Sequence, residues 1–216
     1  LNFDRTFSGP YAVMVTGENN TFTHATAFLN TGRLTLGNAA TDSFSFPSGV
    51  TVTAPSDIHV AGSLNSNNAT LSLGDANTHP AIELLANTTL NAGTATVTLG
   101  GAVSGNYDLQ VIGPVVISGG SVKTGSATQV YSSTITLDNS TSFTASTIHF
   151  GDSMSGAGSL TVNAAATLDG SSVTTVGAQS YQGAVVINAD NILTAGNVNT
   201  PANVSFASTI DGAHAL

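Results

Sequence analysis

Apolar residues stand at fixed distances from one another in four places along the chain. An apolar residue is followed by a second four positions on, by Gly at six, and by apolar residues at ten and twelve. Phe3, Phe7, Gly9, Val13 and Val15 make the first copy, and Leu99, Val103, Gly105, Leu109 and Val111 the second. Phe150, Met154, Gly156, Leu160 and Val162 make the third, and Phe206, Ile210, Gly212 and Leu216 the fourth. The last two offsets put side chains on one face of a strand, because successive strand residues point to opposite sides. The Gly reads as a corner, where a residue without Cβ takes φ > 0. Each copy therefore predicts strand, corner, strand, with its apolar members in the core.

Between these copies the same alternation continues in short pieces. Leu34-Thr35-Leu36, Phe44-Ser45-Phe46, Val50-Thr51-Val52-Thr53, Ile58-His59-Val60 and Leu71-Ser72-Leu73 each read as a strand, and Pro47 closes one of them. A longer phrase also recurs. Ile82, Leu84, Leu90 and Ala92 match Ile135, Leu137, Phe143 and Ala145 (135 − 82 = 53), then Val185, Ile187, Leu193 and Ala195 (185 − 135 = 50). Gln129 and Tyr131 recur at the second of these offsets as Gln179 and Tyr181 (179 − 129 = 50). The last unit is longer, and its extra residues fall near Asn197 to Pro201, which reads as an inserted loop. The distance from Phe3 to Leu99 (99 − 3 = 96) is nearly two units.

A unit of roughly 50 residues exceeds one coil of a solenoid, which takes about 20, and fits two to three coils. Tandem antiparallel sandwiches also give short strands at close spacing, but do not normally repeat internally. A propeller repeats at this length, but its blades carry Trp signatures, and Trp is 0 here. The reading is an all-β, right-handed parallel β-helix of about ten coils, with residues 1–216 one continuous segment. Because the repeat is cut at both ends, the expectation is a slice of a longer chain, with open ends that fray at Leu1 to Thr6 and after Ser205 or associate end to end.

Composition agrees with strands. Charged residues are 7%, and Lys and Arg together number 3 against 12 Asp and Glu, giving a net charge of −9. Such a chain is poorly suited to phosphate backbones, so no nucleic-acid partner is expected. No apolar run approaches the roughly 18 residues of a membrane span. Cys is 0, which excludes disulfides, thiolate metal sites and thiol nucleophiles. Asn87, Asn139 and Asn188 read as corner residues that tolerate the left-handed region and bond the next coil.

The stretch VTTVGAQSYQGAVVINADNILTAGN, followed by VSFASTIDGAHAL, resembles the β-strand repeats of giant bacterial surface proteins of the filamentous-haemagglutinin-like and autotransporter-adhesin type. LNTGRLTLGNAATDSFSFPSGVTVTAPSDIHVAGSL resembles the same class. The resemblance implies a secreted, fibre-like β-helix at the bacterial cell surface, used for structure or attachment. Its implied partners are neighbouring repeats of the same chain, further copies end to end, and host or surface glycans. It brings no catalytic residues and no cofactor.

Candidate chemistry is sparse. Asp169, Asp190 and Asp211 are evenly spaced (190 − 169 = 21, 211 − 190 = 21), about one coil apart, and a stacked acidic ladder would bind Ca²⁺. Against this, Val185 and Ile187 align with Val204 and Phe206 at a shorter offset (204 − 185 = 19). A uniform coil does not hold, and solvated corner carboxylates are expected instead. His24, His59, His79, His149 and His214 are dispersed, and no Gly-x-Ser-x-Gly elbow accompanies them. Thr51/Thr53 and Thr94/Thr96/Thr98 put hydroxyls on one face, but recur too irregularly for an ordered array. The leading expectation is a non-catalytic structural and adhesive segment, with a carbohydrate-binding or carbohydrate-active β-helix as the alternative. A saccharide groove would announce itself by clustered aromatic rings facing carboxylates, and aromatics are only 6%.

Overall fold

Residues 9–216 are described by a computed structural model, which contains 25 strands and no helix among them. The chain winds as a parallel β-helix with three faces to each turn. Leu34–Leu36 lies on the first face, Ser43–Ser45 on the second and Val50–Val52 on the third; the chain then steps up one level and repeats. The third face is a nine-stranded sheet. The first two merge into one 16-stranded sheet, because Asp57–Asn65, Ala81–Asn91, Thr141–Phe150 and Leu160–Leu168 run across the corner between them. The described residues thus complete nine turns, and a tenth covers two faces, close to the ten coils expected. Every strand ladder is parallel, as at Leu34↔Ile58 and Val97↔Val115, which removes the sandwich and propeller alternatives. The antiparallel exception is an isolated bridge, Gly196↔Pro201, inside the inserted loop.

Turns are unequal in length. On the third face Leu71 pairs with Val97 and Val97 with Val115, so the first of these turns is nearly half as long again as the second. The ladder register nevertheless keeps apolar residues inside, because the surplus falls at corners, as loops or as bulges in the strands that cross them, such as Leu84 to Thr88 and Thr144 to Thr147. Third-face strands read inward-outward-inward, as at Val50–Val52 and Ile135–Leu137. Parallel strands buried on both sides are usually apolar throughout; here one side meets water, so they alternate. Leu34, Ile58 and Ile82 stack in one inner column at 0–1% exposure. Each such residue contributes roughly 1.5–3 kcal/mol through burial.

The repeat expected from sequence has a definite geometry. From Ile82 on the first face to Ile135 on the third, and from there to Val185 on the second, the chain passes through eight strand segments each time. Eight segments at three per turn are two and two-thirds turns, within the two to three expected. The copies of the Gly-centred pattern consequently begin on different faces: Leu99 on the third, Phe150 on the second and Phe206 on the first.

The individual positions of that pattern divide. Leu99, Val103, Leu109, Phe150, Met154 and Leu160 are buried. Phe206 is half-buried and Ile210 and Leu216 are 43% and 54% exposed, because no described strand lies above the last turn. Gly105 and Gly212 are corners with positive φ, but Gly156 is not. It occupies an inward strand position opposite Leu137, where an added Cβ would come within 3.1 Å of the Leu137 Cβ. Gly9 likewise lacks positive φ, Val13 is half-buried, and Phe3, Phe7 and the segment Leu1 to Thr6 lie outside the described residues. The first copy also falls out of series. Only thirteen segments separate Val13 from Leu109, not the sixteen of two units, because the early turns are longer.

Two pairs of polar residues sit inside this apolar stack. Gln129 donates from Nε2 to the carbonyls of Val122 and Thr144, and its Oε1 accepts from the Tyr131 hydroxyl at 3.0 Å. Gln179 and Tyr181 reproduce the arrangement eight segments later, with Val173 and Thr194 as acceptors. Each carboxamide ties two successive turns together from within. Burial holds both tyrosine hydroxyls well above their ordinary ionisation range.

Candidate surface sites

The three outer faces differ in chemistry. The first face carries the one dense charge cluster among the described residues. Arg33 Nε donates to Asp57 at 2.6 Å, and His59 Nε2 lies 3.2 Å from Asp57 and 3.0 Å from Glu83 on the next turn. Burial pushes the Asp57 carboxyl up, but hydrogen bonds from Arg33 and Ser56 outweigh it and hold the group below its ordinary value. Two more histidines pair with a carboxylate one turn away: His149 with Asp169 at 3.1 Å and His214 with Asp190 at 3.4 Å. Dispersion in sequence conceals these pairs. Their signal is a separation of about one turn, which becomes visible once coil lengths are known.

Asp169, Asp190 and Asp211 do not form a ladder. Asp169 stands level with Asn188, whose Nδ2 donates to it at 3.0 Å. Asp190 Oδ1 accepts from the Ala215 N–H, and that bond, with His214, lowers its pKa. Asp211 pairs in register with Val186 on the second face. The alignment of Val185 with Val204 is not a ladder either, since Val185 pairs with Ile210. No group of three or more His, Asp or Glu side chains among the described residues is arranged to hold a metal ion.

Corner asparagines follow expectation in part: Asn87 bonds the turn above, but none of Asn87, Asn139 and Asn188 is left-handed. The left-handed positions are Asn19, Asn67 and Asn68, not Asn87, Asn139 or Asn188. Asn68 Oδ1 accepts from the Thr94 N–H of the turn above, and Asn87 Oδ1 from the Asp108 N–H. Asn139 and Asn188 instead donate to the turn below.

The third face presents hydroxyls in register. The outward positions of its strands run Ala27, Thr51, Ser72, Thr98, Val116, Thr136, Ser155, Thr174 and Thr194, without a charge. Unequal coil lengths hide this column in sequence. Val116 interrupts it, and Ser72 is buried with its hydroxyl donating to the Gly74 carbonyl.

The second face holds a groove of about 510 Å³ that runs along the stack. Its floor is the outward column Ser63, Thr89, Gln110 and Val130, which the ladders place on four successive turns. One rim is the corner series Asn87, Asp108 and Thr128. Ala40 and Gly62 leave the groove open at one end. Gly62 needs its glycine: φ is +76°, and a Cβ would lie 2.1 Å from the Asp42 carbonyl oxygen. The rim is braced by the stack, since Asn87 Oδ1 accepts from Asp108 N at 3.1 Å and Asp108 Oδ1 from Thr128 N at 2.9 Å.

No protein-family model, curated protein or solved structure matches the chain.

Proposed function

We propose that the chain is a structural and adhesive repeat segment of a secreted bacterial cell-surface or extracellular fibre. The observation that carries this reading is the uninterrupted parallel ladder through every described turn. Each turn templates the next by main-chain bonds, and the same apolar columns pass from level to level. Nine steps at about 4.8 Å make a stiff rod of roughly 43 Å, extensible by adding turns. The resemblance of its phrases to giant surface-protein repeats supports the location. The outer faces offer many small polar groups at regular height, which suits attachment by repeated weak contacts that gain through avidity.

The test is display of residues 1–216, singly and in tandem, on the surface of a non-adherent bacterium. Attachment to epithelial cells and to polysaccharide-coated surfaces should rise, and rise more steeply with tandem copies. Unchanged attachment in every case would refute the adhesive half of the reading. Force spectroscopy that found the rod yielding at the load of an unfolded chain would refute the structural half. The alternative, a carbohydrate-active domain, is tested with pectate, alginate and glycosaminoglycans, with and without Ca²⁺. Turnover lost on substituting Asp169, Asp190 or Asp211 would establish it.

A further inference from the structure

We infer that the second-face groove is a binding site for a neutral polysaccharide chain. This deepens the alternative reading, a carbohydrate-binding β-helix, by naming the groove and the class of sugar, and it does not depend on the fibre reading. Three properties of the groove select the ligand. It is long and shallow, spanning about five turns, or roughly 19 Å at the ladder spacing, so it takes a chain rather than a compact molecule. Its floor strands are already hydrogen-bonded on both sides, as at Thr89↔Gln110↔Val130, so an extended peptide has no free main-chain edge to pair with. Its lining carries carboxylate, carboxamide and hydroxyl groups, no cation and no aromatic ring, so it meets sugar hydroxyls by hydrogen bonds rather than by the ring stacking expected of a saccharide groove, and it repels polyanions.

The polar groups are also held in place before a ligand arrives. Asp108 commits Oδ1 to the Thr128 N–H, and Oδ2 has no protein partner among the described residues. Asn87 commits its Oδ1 to the Asp108 N–H and keeps Nδ2 free in the same sense. A donor and a charged acceptor therefore stand on adjacent turns, each fixed by the stack. Gln110, exposed on the floor, adds a carboxamide whose Oε1 lies 3.5 Å from the Thr89 hydroxyl. Neighbouring hydroxyls of one sugar ring both donate and accept, and such a pinned pair meets them with little ordering cost.

The experiment is calorimetric and NMR titration of the intact chain with cellohexaose, mannohexaose and chitohexaose, with hexagalacturonate as the anionic control. At least one neutral hexasaccharide should bind with a Kd below about 1 mM, and hexagalacturonate more weakly by tenfold or more. Asp108→Asn keeps an oxygen for the Thr128 N–H but replaces the charge-assisted acceptor with an amide, and should weaken binding about tenfold. Gln110→Ala should weaken it severalfold. Ser155→Ala, on the third face, should leave it unchanged, and all three variants should unfold with the wild type. Absence of binding by every neutral probe would overturn the proposal, as would tighter binding of hexagalacturonate. Equal binding by the Asp108 and Gln110 variants would overturn it too. Attachment to polysaccharide-coated surfaces would draw on the same groove, so the fibre reading is tested separately by force spectroscopy and by attachment of tandem copies carrying Asp108→Asn.

Discussion

Gln129 and Tyr131 give the sharpest test of how the stack is held. Gln129→Met keeps the side-chain length and removes both polar functions. The Tyr131 hydroxyl, on a residue 1% exposed, then loses its acceptor inside the core. Leaving a buried hydroxyl unpaired costs about 1–3 kcal/mol. The Thr144 carbonyl still accepts from the Thr124 N–H at 2.9 Å, so its loss is small. The single change should therefore destabilise by about 2–3 kcal/mol. Tyr131→Phe alone strands the Gln129 Oε1 and should cost about 1–2 kcal/mol. Together the two changes remove both members of the pair, and an apolar pair of similar shape is tolerated. The double variant should fall short of the sum by about 1–2 kcal/mol. The assay is denaturant unfolding followed by far-ultraviolet circular dichroism, with the midpoints and slopes of all four proteins compared. Additivity within about 0.5 kcal/mol would refute the argument, because it would mean that the hydroxyl and the carboxamide do not depend on each other.

Other outcomes follow from the same geometry. Leu160→Asp places a charge in a dry column and should cost about 3–5 kcal/mol; a variant melting with the wild type would disprove the register. Gly62→Ala forces a side chain into the left-handed region against the Asp42 carbonyl and should lower the melting temperature, whereas Gly17→Ala, with open space around it, should do so less. Asp57, Asp190 and Asp75, whose carboxylate accepts from the Thr78 and Asn77 N–H groups of its own turn, all have folded pKa values depressed below about 3.8, so their contribution is present above that pH and is lost as pH falls through the depressed values. An acid titration of stability should therefore stay level from neutrality to about pH 5 and decline below pH 4, and a decline already complete by pH 5 would contradict the assignment. Ile192, 68% exposed beside the open last turn, should promote association, so Ile192→Lys should reduce any concentration dependence seen in sedimentation.

Alternation made the strands legible. Val50-Thr51-Val52 and Ile135-Thr136-Leu137 state in three residues which side is core, and this holds whatever lies above or below them. The repeat was legible for the same reason. What did not show was level: which residue sits over which. That depends on coil length, and coils as unequal as Leu71 to Val97 and Val97 to Val115 carry no mark of where one ends. Hence the constant spacing of three aspartates suggested a ladder, which the shorter offset from Val185 to Val204 already argued against and which the structure lacks. The hydroxyl column of the third face, the His149–Asp169 pair and the groove rim stayed hidden, although each is a vertical neighbour relation. Gly156 misled by another route, since a glycine that makes room beside Leu137 looks like a glycine that turns a corner.

The eight-segment repeat explains why the groove occurs where it does and not in every unit. The rung that braces its rim, Asn87 accepting from the N–H of Asp108, recurs in the next unit as Ser140 Oγ accepting from Ser159 N at 3.1 Å. It recurs again as Asp190 Oδ1 accepting from Ala215 N at 3.0 Å. The acceptors step along the chain by the offsets of the sequence repeat itself (140 − 87 = 53, 190 − 140 = 50), and so do the donors (159 − 108 = 51, 215 − 159 = 56). The backbone bond is kept while the acceptor changes from carboxamide to hydroxyl to carboxylate. Because eight is not a multiple of three, each rung also moves to a new corner: first to second face, then third to first, then second to third. A stacking device can tolerate this rotation, since every corner of a three-sided helix needs one. A ligand groove cannot, since its floor must stay on one face over several turns. Selection for stacking alone would therefore copy the rung and let the free groups drift, as Ser159 and Ala215 show at the positions of Asp108. The uncommitted Oδ2 of Asp108 and the Gln110 carboxamide belong to the part of the surface that the repeat does not require.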